Sequence, residues 1–100
     1  MGGGSTKYTS DKKLKKNIIS LKDPLSKILS LRGVTFEWKD KTKGEETQYG
    51  FIAQEVEEII PELVTSGETK YLNYTGIIPV LIEAIKDQQK QIDELRSKLK

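Results

Sequence analysis

The chain has 100 residues and a net charge of +2, with 35% apolar and 32% charged side chains and neither cysteine nor histidine. That allows one small domain plus an appendage, and it excludes a disulfide scaffold, a Ser-His-Asp triad and nearly all zinc sites. A chain this short and polar has little core to bury, so oligomerisation is the expected source of further stability. No apolar run is long enough to span a membrane. Met1-Gly2-Gly3-Gly4-Ser5 reads as an appended leader rather than a secretory signal.

The small net charge hides segregation. Residues 1–39 carry +6, residues 40–69 carry −6, and residues 70–100 carry +2. A nucleic-acid binder is expected to be basic on balance, with aromatics among its basic residues. Here the two blocks can instead face each other, or lie on solvated faces with no partner.

In chain order, residues 1–9 read as a leader, 10–75 as a globular region and 76–100 as a terminal helix. The stretch from Ser10 to Ile19 is strongly basic, and only Leu14, Ile18 and Ile19 in it can enter a core. Asp23 is a suitable N-cap with Pro24 as first helical residue, Leu25, Ile28 and Leu29 share one face, and Gly33 is a stop. Val34, Phe36 and Trp38 alternate with polar residues, which predicts a strand. A charged loop over 40–47 lets Gln48 to Ile52 return as its partner. Ala53 to Ile60 reads as a short amphipathic helix ended by Pro61. Leu63 to Thr65 and Lys70 to Leu72 flank a second hairpin turn. The expected core is Phe36, Trp38 and Phe51, covered by Leu25, Ile28 and Leu29.

The terminal pattern is the clearest. Ile78, Leu81, Ile85, Gln88, Ile92, Leu95 and Leu99 are spaced 3, 4, 3, 4, 3, 4. Ile78, Ile85, Ile92 and Leu99 fall at heptad position a, and Leu81, Gln88 and Leu95 at d. Beyond Ile85 the helix has almost no other apolar residue. A stripe this narrow suits self-association better than broad packing on a core. Pro79 sets the helix start near Ile78, or kinks it there.

Without histidine, a nucleophile–base pair must join Ser or Thr to Lys. Ser10 and Lys15 are five apart. On a helix they would differ by about 140°, and on a strand they would point to opposite faces, so a dyad needs a turn between them. Nearby positive charges and apolar cover favour the neutral form of an amine. The same residues equally describe an ordinary basic surface strand. The acidic residues Glu45, Glu46, Glu55, Glu57, Glu58 and Glu62 have no calcium-loop spacing. Neither a metal nor a cofactor is expected.

Five blocks in order carry a family resemblance. They are Ser10-Asp11-Lys12-Lys13-Leu14-Lys15-Lys16-Asn17-Ile18, Val34 to Asp40, Gly50 to Glu57, Ile60 to Val64, and Leu81 to Lys86. Together they resemble the C-terminal intramolecular chaperone domains of phage endosialidase tailspikes and tail fibres, the peptidase S74 family. Lys13 stands where that family usually has arginine.

The resemblance implies an α+β fold: a small globular part with short helices and hairpins, then a long helix forming a trimeric coiled coil. It implies a homotrimer that registers and folds a covalently linked N-terminal fibre passenger. It further implies self-cleavage of the Thr9–Ser10 bond, with Ser10 as nucleophile and Lys15 as general base, only in the assembled trimer, where a neighbouring chain must fold the stretch and exclude water from Lys15. The setting would be a phage tail fibre or tailspike precursor in the host cytoplasm during assembly. No nucleic acid or membrane partner is expected. Ile at a with Leu at d by itself favours parallel dimers, whereas the family is trimeric. Two alternatives stay open: a trimerisation and folding module that does not cleave, and, more weakly, a nucleic-acid binder with salt-dependent affinity.

Overall fold

The computed structural model describes residues 7–99. Local sequence accounts for the first elements. A 3-10 turn over Lys12–Leu14 is followed by an irregular stretch, and then by α1 (Pro24–Ser30). Pro24 is the first residue of α1, where its missing N–H costs nothing. Asp23 does not cap that helix with its side chain, contrary to expectation. It sits in the left-handed region at φ 50°, not in the extended conformation in which an N-cap side chain reaches the first-turn amides. Gly33 is not the stop either. The helix ends at Ser30, with the Leu31 N–H bonded to the Ile28 carbonyl.

Both predicted hairpins form. Strands β1 (Val34–Phe36) and β2 (Gln48–Gly50) pair antiparallel, with Val34 opposite Gly50 and Phe36 opposite Gln48. Helix α2 (Ala53–Ile59) follows and stops before Pro61, which opens a 3-10 turn to Leu63. Strands β3 (Val64–Ser66) and β4 (Lys70–Leu72) pair with Val64 opposite Leu72. Two isolated two-stranded sheets are marginal alone. The second packs on α2.

The long helix α3 spans Ile77–Lys98. Pro79 sits in its first turn, where no intrahelical N–H bond is made, so it neither delays nor breaks the helix. The deepest side chains are Val56 and Ile60, from α2 and its cap, with Ile77, Val80 and Ala84 from α3; Val56 is 1% exposed. Helix α1 lies along α3.

The predicted aromatic core is therefore corrected. Strand β1 ends at Phe36, so Trp38 lies past the sheet and is 41% exposed. It packs edge-on against Phe36, ring centroids 5.0 Å apart, with Lys43 Nζ 5.4 Å from its ring centre. Leu25 and Ile28 are half-buried on a helix that packs against α3, and Leu29 is exposed.

From Gln88 to Leu99 every residue is exposed. The principal extents are 58 × 36 × 33 Å and the radius of gyration is 17.7 Å. A compact chain of this length would have about 13 Å.

Candidate functional site

Ser10 and Lys15 come together. Lys15 Nζ lies 2.6 Å from Ser10 Oγ. The 3-10 turn between them reverses the backbone, with the Leu14 N–H donating to the Asp11 carbonyl and the Lys15 N–H to the Lys12 carbonyl, each at 3.0 Å. Asp11, extended at φ −67° and ψ 133°, caps the turn by accepting the Lys13 N–H at 3.0 Å. Spacing alone does not bring the pair together, and the expectation that a neighbouring chain must fold the stretch is corrected. One chain suffices, because the tight turn supplies the reversal that neither helix nor strand offers. Thr9, Ser10 and Lys15 are all exposed.

The charge blocks meet within the chain. Arg32, between α1 and β1, donates to Glu55 in the first turn of α2 through Nε at 3.1 Å and a terminal guanidinium nitrogen at 2.6 Å. The guanidinium's hydrogen bond, aided by its charge, holds the Glu55 carboxyl below its ordinary value, while Glu55 raises Arg32. Lys70 on β4 reaches Glu57 of α2 at 3.0 Å. Two carboxylates of the acidic block are thus held by cations. Among the described residues no three carboxylates gather as a metal site.

A second feature is apolar. The heptad residues Ile78, Leu81, Ile85, Gln88, Ile92, Leu95 and Leu99 are all exposed, Ile85 by 61%. Helix α3 packs its own domain with a different face, through Ile77, Val80 and Ala84. Near its start, Ile19 and Leu21 of the irregular stretch before α1 line a groove with Ile78, Pro79 and Ile82. The segment that follows Ser10 and Lys15 therefore runs beside the beginning of the exposed seam. No described helix is long and apolar enough to cross a membrane.

A family model described as chaperone of endosialidase, Peptidase_S74, matches residues 10–65, from the serine of the turn to strand β3. The chain belongs to this family. Among curated relatives, the long tail fiber protein Gp37 of Salmonella phage S16 is 32% identical over 99% of this chain. The Gp37 proteins of Enterobacteria phages K3 and T2 are each 34% identical over 90% of it. The chain spans only 15% of the first relative's length, and 8% and 7% of the other two.

Sequence reasoning misses two interactions, the Asp11 cap and the Arg32–Glu55 fork. Asp11 has a local signature, an aspartate ahead of a three-residue turn. The Arg32–Glu55 fork joins residues 23 apart, and nothing local announces it.

Proposed function

We propose that this chain is an intramolecular chaperone that trimerises through α3, folds a fibre passenger joined to its N-terminus, and releases itself by cutting Thr9–Ser10. The observation that carries the chemistry is the 2.6 Å approach of Lys15 Nζ to Ser10 Oγ inside the family-matched segment. The tail fibre relatives support the fibre setting.

The reaction follows from these atoms. Ser10 Oγ attacks the Thr9 carbonyl carbon while the Lys15 amine takes the hydroxyl proton. The peptide bond breaks, the proton passes to the Ser10 nitrogen, and Thr9 is left as an ester on Oγ. Water then attacks the ester, giving a Thr9 carboxylate and a chain that begins with Ser10. A lysine acts as base only as the neutral amine, and exclusion of water favours that form. With the turn already formed in one chain, the task left to assembly is to cover the exposed pair.

Exposed area supports assembly. The chain exposes 8893 Å², against about 5,700 Å² for a compact monomer of this mass. Trimerising at the end of a β-rich fibre raises the effective concentration of the three passenger chains and removes the registration bottleneck. Cutting after assembly closes the route back and gives kinetic stability.

The test uses the chain with and without a fibre segment fused ahead of it. Intact mass and N-terminal sequencing should find a fragment beginning at Ser10. Ser10→Ala and Lys15→Ala should stay full length and still assemble, whereas Lys12→Ala and Lys16→Ala should cut. Assembly and passenger folding without any cleavage would leave the folding module alone. Undiminished cleavage in Lys15→Ala would remove the dyad.

A further inference from the structure

We propose that Asp11 is a positioning residue for the Ser10–Lys15 pair, acting through its cap on the Lys13 amide; this rests on the self-cleavage reading above. The two side chains meet only because the backbone reverses between them, and the reversal is one 3-10 turn. Three hydrogen bonds hold that turn. Two are the backbone bonds to the Asp11 and Lys12 carbonyls, and the third is the Lys13 N–H donating to Asp11 Oδ1 at 3.0 Å.

Among the described residues no other side chain caps that turn. Residues 7–22 are exposed throughout, and Leu14 on the turn is itself 67% exposed, so apolar packing in the single chain does not fix the reversal. The other carboxylate oxygen lies 4.0 Å from Lys13 Nζ, an exposed ion pair that contributes little. The carboxylate bonds neither Ser10 Oγ nor Lys15 Nζ; its partner is the turn. The chain repeats the device at Asp40, which caps the 3-10 turn Lys41–Lys43 by accepting the Thr42 N–H at 3.0 Å. The same aspartate-led code thus builds two turns, and only the first brings a hydroxyl to an amine.

The cap oxygen, not the negative charge, is what the geometry requires. Asparagine keeps that oxygen, and alanine removes it. The experiment follows release of the Ser10–Lys100 fragment from the 100-residue chain across pH, for wild type, Asp11→Ala and Asp11→Asn. Loss of a cap should slow Asp11→Ala about three- to fivefold without moving the midpoint of its pH–rate profile. Asp11→Asn should cut at close to the wild-type rate. Three results overturn the proposal: wild-type rates in Asp11→Ala, an Asp11→Asn as slow as Asp11→Ala, or a displaced pH midpoint in Asp11→Ala.

Amide exchange at Lys13 gives a second measurement, made in an uncut Ser10→Ala background. It should quicken with Asp11→Ala and stay at the parent rate with Asp11→Asn. Unchanged exchange in Asp11→Ala overturns the proposal even where the cutting data agree. If wild type never cuts, the self-cleavage reading fails, and amide exchange still decides whether Asp11 holds the turn.

Discussion

Arg32 holds Glu55 in a fork of two hydrogen bonds, Nε to one carboxylate oxygen at 3.1 Å and a terminal nitrogen to the other at 2.6 Å. The pair ties the connection after α1 to the first turn of α2. Paired donors on a planar cation suit a carboxylate better than a lysine ammonium does.

A pH dependence follows with a definite sign. The folded chain holds the Glu55 carboxyl below its ordinary value, chiefly through the hydrogen bonds from Arg32. The unfolded chain therefore takes up this proton first as pH falls. The contribution of the fork is present above the ordinary carboxylate value and is lost as pH drops through the lowered folded one. Both partners are well exposed, so the effect on global stability is small. A carboxyl NMR titration should find Glu55 titrating low, and Arg32→Gln should return it toward the ordinary value. An unmoved titration would show that the fork does not form in solution.

Gly50 and Tyr74 form a second testable pair. The Tyr74 hydroxyl accepts the Phe51 N–H at 3.2 Å. A Cβ at Gly50 would collide with that hydroxyl and crowd Phe36. Gly50→Ala should cost about 1–3 kcal/mol, as overpacking does. Tyr74→Phe alone should cost about 1 kcal/mol, the net loss of one hydrogen bond. In the double variant the hydroxyl that clashes is gone, so its total should fall below the sum of the singles. Urea unfolding of the four proteins measures this. Strict additivity would mean that the hydroxyl does not approach Gly50.

Trp38 gives a cheaper measurement. It is 41% exposed and keeps one edge-on partner, Phe36. Trp38→Ala should cost about 1–2 kcal/mol, below the roughly 3–5 kcal/mol of a fully buried tryptophan. Its fluorescence in the folded chain should be that of a partly wet indole. A strongly blue-shifted emission would indicate burial, against this placement, unless oligomerisation covers the ring. Comparing emission at low and high protein concentration separates the two.

What could be read from the sequence divides by the range of the interaction. The hairpins and α2 were legible because alternation, Pro61 and the turn residues act within a few positions. The heptad of α3 was legible because its period persists from Ile78 to Leu99. The docking of α1 on α3 was not, because Leu25 and Ile28 fit an aromatic sheet as well as another helix; only the three-dimensional path decides. Trp38 misled because alternation continues past the point where pairing ends at Phe36. At the candidate site, the residue types of Ser10 and Lys15 were legible and their approach was not. It depends on one 3-10 turn, and such short turns carry weak sequence signals.

The exposed seam yields the last prediction. Ile85 and Ile92 lie at a positions, exposed by 61% and 38%, while α3 binds its own domain through Ile77, Val80 and Ala84. Seam and domain face are therefore separable by substitution. Replacing Ile85 and Ile92 with Asp would force carboxylates into any interchain layer, at a cost of several kcal/mol per buried ion. The intact domain should scatter light as three times 11.3 kDa, and the double variant as a single chain with its circular dichroism largely kept. Lys90→Glu, at the outward f position, should leave the assembly intact and controls for charge alone. A concentration-independent monomer in the unsubstituted protein would refute assembly. A trimer that survives both aspartates would move its contacts from α3 to the globular part. That outcome would leave unexplained why three heptads of apolar side chains stand in water.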